Sequence, residues 1–200
     1  MNINADYLVP GHGFLFERKV DIKDALSITA EAMHFIHDEI VKRLNEGKWF
    51  KEIYYEILDI YPDKFKNHKY LKPMYGEYRF AIHDVYRLYH GWYDSGNPTD
   101  LFPAKSEEIA KEILKVSDQK DFFERARQLF EEGKLQLALH LLDILIKGSN
   151  EKSKIFVEAC KLKVKILNKR AKGEMSFIAQ NILLTSAKQL KDKIMELRKT

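Results

Sequence analysis

The stretch from Tyr70 to Pro98 constrains the fold of this chain more than any other, because it combines many aromatic residues with helical spacing. Its apolar side chains recur at steps of three and four residues, which places them on one face of an α-helix. They are Tyr78, Ile82, Val85, Tyr86 and Tyr89. Pro73 and Gly76 precede this pattern and Gly91 follows it, so the helix is predicted to lie between them. The large area that each ring can bury predicts a central, largely buried helix.

Helical periodicity extends through most of the remaining chain. Asp21 to Asn45 is predicted as a long amphipathic helix, and Trp49 to Ile60 as a shorter helix that ends before Pro62. Toward the C-terminus, glycines separate four apolar stripes, a pattern that predicts antiparallel helical pairs. The four predicted helices are Phe122 to Glu132, Leu135 to Lys147, Ser153 to Lys169 and Met175 to Leu197. The fold is therefore predicted to be all-α, an antiparallel helical bundle preceded by short β-like material near Ile3 to Val9.

The C-terminal half also contains a repeat-like segment. Its sequence ARQLFEEGKLQLALHLLDILI, from Ala126 to Ile146, resembles a tetratricopeptide unit. Small residues such as Ala126 and Ala138 allow two helices to pack closely around a glycine turn. Units of this kind present concave surfaces to partner proteins, which makes a free-standing interaction adaptor one candidate function.

Composition favours a folded protein with a substantial core, since 45% of the 200 residues are hydrophobic and 12% are aromatic. The 34 basic and 30 acidic residues are interspersed, whereas a nucleic-acid-binding surface needs clustered basic residues, so nucleic-acid binding is disfavoured. Cys160 is the only cysteine, which excludes an internal disulfide and suits a reducing compartment. The sequence has no long apolar run or signal-peptide pattern. We therefore expect a cytoplasmic chain without membrane contact.

His12 lies in the tetrapeptide Pro10-Gly11-His12-Gly13. Glycines on both sides of the histidine allow the backbone to bend tightly and to present the imidazole at the surface. The tetrapeptide alone is compatible with two interpretations, a surface turn with an incidental histidine or a loop that exposes His12 for binding.

Tyr75 and Arg79 lie at or just inside the predicted start of the central helix, one turn apart. The unpaired backbone N–H groups and the positive dipole end of a helix N-terminus favour an anion. Arg79 could add a planar cationic group on the same face. In the alternative interpretation, Tyr75 packs in the core and Arg79 pairs with Glu77 or Asp84.

The sequence contains no complete catalytic set. Serine nucleophile elbows, Gly-rich phosphate loops and the HExxH and CxxC patterns are all absent. No catalytic residue is therefore assigned.

Several segments, in order along the chain, resemble the alkylsulfatase dimerisation domain, the helical module that follows the metallo-β-lactamase domain in linear alkylsulfatases. YLKPMYG and GWYDSGNP, on either side of the central helix, resemble the signature of that domain. The other matching segments are LVPGHG (8–13), FIHDEIVKRLNEG (35–47) and NILLTSA (181–187). Two positions differ from the family pattern: Ser95 is an extra residue in a turn that is usually tighter, and Gln180 stands where an arginine is common.

The resemblance implies that residues 1–20 are the end of a metallo-β-lactamase-type domain and that residues 21–200 form the dimerisation-type helical domain. It implies a homodimer, and a metallo-β-lactamase-type domain in the same or another chain as a further partner. His12 would correspond to one metal-binding histidine, and Tyr75 and Arg79 would help to hold a sulfate group.

The resemblance does not make this chain a complete enzyme, because the HxHxDH pattern that carries the other metal ligands is absent. One histidine cannot supply the three or four ligands of a zinc site, so no cofactor is expected in the isolated chain and zinc only with a completing catalytic domain. The completed protein would be a sulfuric ester hydrolase. The helical adaptor remains the competing hypothesis.

Overall fold

The computed structural model describes residues 4–197, which contain nine α-helices, one 3-10 helix and no β-sheet. The helices are α1 (Lys19–Asn45), α2 (Phe50–Ile60), α3 (Asp63–Lys66), α4 (Tyr78–His90), α5 (Ser106–Lys115), α6 (Gln119–Glu131), α7 (Leu135–Gly148), α8 (Lys154–Gly173) and α9 (Phe177–Leu197), with the 3-10 helix at Pro98–Leu101. The predicted all-α fold is confirmed. The β-like material is reduced to one antiparallel bridge between Leu8 and Phe16, and Ile3 lies outside the described residues.

The chain forms two compact units, with the division between Phe102 and Pro103. Each unit has its own hydrophobic core. The boundary predicted between residues 20 and 21 is a different one, because it marks the end of a metallo-β-lactamase-type domain. It stays a prediction.

In the first unit, α1, α2 and α4 pack around a common core. Its buried members are Ala32, Ile36, Ile40, Ile53, Ile57, Tyr61, Phe65, Ile82 and Tyr86. In α1 the buried residues Ala32, Ile36 and Ile40 lie four residues apart. In α2 the buried residues Ile53 and Ile57 have the same spacing, so each helix presents one apolar stripe to this core.

Aromatic pairs join α2 and its flanking residues to α4, and we call this set the aromatic ladder. Its ring pairs, with their centroid distances, are Tyr61–Tyr78 (4.2 Å), Phe50–His83 (4.4 Å), Phe50–Tyr86 (5.1 Å) and Trp49–His90 (4.9 Å). Tyr61, just after the end of α2, contacts the start of α4, whereas Trp49, just before the start of α2, contacts the end of α4. The two helices therefore run antiparallel. Each such pair typically adds about 0.5–1.5 kcal/mol beyond the area that the rings bury.

The position of α4 agrees with the predicted central helix, but the expectation that it is largely buried is wrong. Within α4 only Ile82 and Tyr86 are buried, and Leu88 is 74% exposed. The helix packs against α1 and α2 on one side, so its other side carries Asp84 and Arg87 to the surface.

In the second unit, α7 runs antiparallel to α8, and α8 runs antiparallel to α9. Lys163 of α8 donates to Asp143 of α7, and Arg170, farther along α8, donates to Gln136 near the start of α7. Their apolar faces enclose a core with α5 and α6. It includes Leu114, Ala126, Leu129, Ala138, Leu142, Leu145, Ala159, Ile166, Leu167 and Ala187.

Cys160 lies in α8 and is fully buried beside Phe156 and Ile194. Burial raises the pKa of its thiol to about 11, because the thiolate would lose its hydration. The thiol is therefore protonated at neutral pH, and Cys160 is a core residue, as its amphipathic surroundings indicated.

One helix end differs from its prediction for a clear reason. The helix predicted from Phe122 begins at Gln119, because the side chain of Asp118 accepts a hydrogen bond from the backbone N–H of Lys120 (2.6 Å) and caps the first turn. Among the helices of residues 4–197, none is both long enough and apolar enough to cross a membrane.

Gly96 provides a test of the contacts around the aromatic ladder. Its φ is +70°, and a Cβ at this position would lie 2.5 Å from Nε1 of Trp49. We expect Gly96→Ala to lower the free energy of unfolding by more than the roughly 1–2 kcal/mol that an L side chain costs in the left-handed region, since the indole must also move. Chemical denaturation measures the loss.

Gly47→Ala is the matched control for this substitution. Gly47 also has a positive φ of +78°, but no atom lies within 4 Å of the added Cβ, so it incurs the backbone cost alone. Equal losses of stability in the two variants would show that Trp49 can move away from position 96 without cost.

Candidate functional site

His12 lies in a surface loop that is closed by the bridge between Leu8 and Phe16. These two residues exchange two backbone hydrogen bonds, each 3.0 Å long. Gly13 has a φ of +105°, which a residue with a side chain rarely adopts, so the glycine after His12 allows the turn. His12 itself is exposed, as the tetrapeptide predicted.

Contacts with Tyr70 hold the base of this loop. Phe16 meets the ring of Tyr70 edge-on at 5.1 Å, and the hydroxyl of Tyr70 donates to Asp21 of α1 (2.8 Å). Arg18 also donates to Asp21 (2.5 Å). Hydrogen bonds from Arg18 and then from Tyr70 lower the pKa of Asp21, so its carboxylate stays ionised at neutral pH.

His12 stacks on Tyr75, with ring centroids 3.8 Å apart and ring planes 12° apart. Tyr75 is 43% exposed and lies three residues before α4, so it stands ahead of the helix and not inside it. Tyr75 therefore does not pack in the core, as the alternative interpretation of this residue required. The structure therefore brings together two of the predicted site residues, which are 63 positions apart in the sequence.

Arg79 lies in the first turn of α4, where its Nε–H donates to Oε1 of Glu77. This ion pair is one of those that the alternative interpretation names. The Glu77 side chain is 1% exposed and the Arg79 side chain is 33% exposed. Glu77 immediately precedes α4, yet its side chain accepts no capping hydrogen bond from the helix.

The second carboxylate oxygen of Glu77, Oε2, is buried and has no hydrogen-bond partner. Sequence reasoning treated Glu77 only as a possible partner of Arg79 and did not anticipate its burial. A glutamate beside a helix start is usually solvated, and no periodic pattern in this segment indicates otherwise. The first turn of α4 contains no acidic residue, so Glu77 is the acidic group at this helix end.

The described residues do not form a metal centre by themselves. Within residues 4–197, no group of three or more His, Cys, Asp or Glu side chains could hold a metal ion. His12 would be a single ligand, whereas zinc in proteins takes three or four protein ligands. The donors among these described residues therefore do not fit zinc without further ligands.

Comparison with known proteins shows relatives among the sulfatases. The linear primary-alkylsulfatase of a Pseudomonas species is 26% identical over 191 residues, which are 95% of this chain and 35% of that protein. The alkyl/aryl-sulfatase BDS1 of Saccharomyces cerevisiae is 26% identical over 142 residues, 70% of this chain and 22% of that protein. The chain thus spans about a third or less of the length of these curated relatives.

Solved structures show the same fold. The inverting sec-alkylsulfatase Pisa1 of a Pseudomonas species superposes with a TM-score of 0.81, over 92% of this chain and 28% of that one, at 21% sequence identity. The family model described as alkyl sulfatase dimerisation matches residues 50–193, well over half of the chain. This protein is therefore a member of the alkyl sulfatase dimerisation family.

Proposed function

We propose that this chain is the dimerisation and substrate-clamping helical module of an alkylsulfatase-like hydrolase of the metallo-β-lactamase superfamily, and that it is not catalytic alone. The observation that carries the proposal is the family match over residues 50–193. The fold that the chain shares with a sec-alkylsulfatase over 92% of its length supports it further. A metallo-β-lactamase-type domain, in the same or another chain, is the partner that this function requires.

Exposed apolar side chains support self-association. In the first unit, Leu88 and Trp92 lie four residues apart at the end of α4 and beyond it, and Trp92 is 76% exposed. In the second unit, Ile178 and Ile182 are exposed one turn apart on α9. Side chains of this size at the surface favour contact with another protein surface, since covering them removes apolar area from water.

We expect the purified chain to be a homodimer. An obligate interface should bury more than about 2,000 Å² in total and be markedly apolar. Light scattering at micromolar concentration should therefore give twice the chain mass of 23.6 kDa. A monomer at all accessible concentrations would favour the helical adaptor instead.

The clamping role is proposed for Tyr75 and Arg79, whereas His12 would be one metal ligand once the catalytic domain completes the site. Arg79 places a guanidinium in the first turn of α4, next to the positive end of the helix dipole. Both features attract the negatively charged oxygens of a sulfate ester. Tyr75 would help to hold the sulfate, and its stack on His12 keeps the imidazole close to the residues that lead into this helix.

Arg79→Ala tests the clamp directly. We expect the affinity of the chain for inorganic sulfate to fall by about 1.5–3 kcal/mol, the typical contribution of a hydrogen bond to a charged group. Titration calorimetry or NMR titration measures this loss. Arg87→Ala is the matched control, because Arg87 is an exposed arginine in the last turn of the same helix. Equal losses in the two variants would leave Arg79 without a specific role.

The isolated chain should neither bind stoichiometric zinc nor hydrolyse a primary alkyl sulfate. His12 cannot hold the ion alone, and a metal-bound water needs the other ligands to be positioned. Metal analysis after dialysis, with an alkyl sulfate hydrolysis assay on the same sample, checks both statements. One tightly held zinc per chain, or turnover by the purified chain, would contradict the proposal that the chain is not catalytic without a metallo-β-lactamase-type domain.

A further inference from the structure

We infer that Glu77 is a specificity-determining residue of the proposed anion site, where its negative charge disfavours doubly charged anions more strongly than singly charged sulfate esters. The inference rests on the proposed clamping function of Arg79. It starts from the ion pair in which the Nε–H of Arg79 donates to Oε1 of Glu77. A guanidinium is always charged at physiological pH, so it stabilises the ionised form of a carboxylate beside it. The pair as a whole is then close to neutral.

Burial keeps this negative charge in place. The Glu77 side chain is 1% exposed, so water cannot screen it as it screens a surface carboxylate. It also cannot swing away when an anion approaches Arg79. A ligand beside the guanidinium therefore experiences attraction to Arg79 and a fixed repulsion from Glu77.

The contacts of Glu77 leave part of its buried carboxylate unsatisfied. It does not cap α4, and its Oε2 is buried without a hydrogen-bond partner. Arg43, another buried charged residue, contrasts with it, because it pairs with both Glu39 and Glu56 and donates to a backbone carbonyl. Leaving a buried carboxylate oxygen unpaired costs stability, and such costs recur at functional sites.

The consequence for specificity follows from the ligand charge. Coulomb repulsion from Glu77 is proportional to that charge, so a dianion is penalised about twice as strongly as a monoanion. A sulfate monoester carries one negative charge. A phosphate monoester of the same shape carries close to two at pH 8, since its second pKa is about 6. Inorganic sulfate, the product of sulfate ester hydrolysis, is also doubly charged and therefore experiences the larger repulsion from Glu77.

Ethyl sulfate and ethyl phosphate form a matched pair of probes, because they differ in charge and hardly in shape. We expect removal of the Glu77 charge to shift the relative affinity of the chain for the two probes at pH 8 toward ethyl phosphate. In Glu77→Gln, which keeps the shape and removes the charge, the affinity should rise about threefold for ethyl sulfate and about ninefold for ethyl phosphate. These factors are minimum values, because they correspond to one and two ligand charges at roughly 6–7 Å in a medium close to water, whereas the buried charge of Glu77 is screened less than that.

Two further variants serve as controls. Glu77→Asp keeps the charge and should keep the wild-type preference. Asp84→Asn removes an exposed negative charge from the same helix, and it should leave the ratio of the two affinities unchanged.

The outcomes separate this inference from the proposed function. If both probes bind but Glu77→Gln leaves their affinity ratio unchanged, Glu77 does not set specificity, while the anion site stands. If neither probe binds the wild-type chain, the anion site and the role of Glu77 fail together. If Glu77→Gln does not fold, Glu77→Ala serves as the second variant without the charge, and an unchanged ratio of the two affinities in that variant overturns the inference.

Discussion

The aromatic ladder between α2 and α4 is the interaction on which the first unit depends. Its Tyr61–Tyr78 stack lies at the start of α4, one residue from Glu77 and one from Arg79. Burial raises the pKa of Tyr61 to about 12, so this contact keeps a neutral phenol throughout the physiological pH range. The candidate site thus stands on two helices that pack through aromatic contacts, and packing of this kind helps to hold a binding side chain in one orientation.

Periodicity was sufficient to predict most of the helices. The apolar stripes of α1, α2 and α4 appear in the sequence at three- and four-residue spacing, and the structure places helices there. Helix ends were less predictable. The start of α6, for example, is set by the cap from Asp118, and the apolar spacing alone does not distinguish this start from one a few residues later. The burial of α4 was overestimated because an aromatic residue such as Tyr89 adds to an apolar pattern while it stands half exposed at the surface. Nothing in the pattern marked the division between Phe102 and Pro103.

The candidate site could be predicted only in part. Tyr75 and Arg79 were identifiable from their position before and within a helix start, whereas the contact of Tyr75 with His12 depends on tertiary structure that spacing does not encode. The resemblance to a family brought these residues into one hypothesis. Neither the residue spacing nor the family resemblance predicted the burial of Glu77. This burial depends on how the segment before α4 packs, and no periodic pattern in the sequence indicates it.

The two-unit organisation also has a spectroscopic consequence. Both tryptophans, Trp49 and Trp92, belong to the first unit, and the second unit contains none. Intrinsic tryptophan fluorescence therefore follows only the unit that carries the candidate site, while far-ultraviolet circular dichroism follows the helices of both. Within the first unit, Trp49 packs between His90 and Gly96 while Trp92 faces solvent, so a soluble quencher should extinguish one emission component well before the other. The two tryptophans therefore report on different environments, Trp49 on a partly buried position of that unit and Trp92 on its surface.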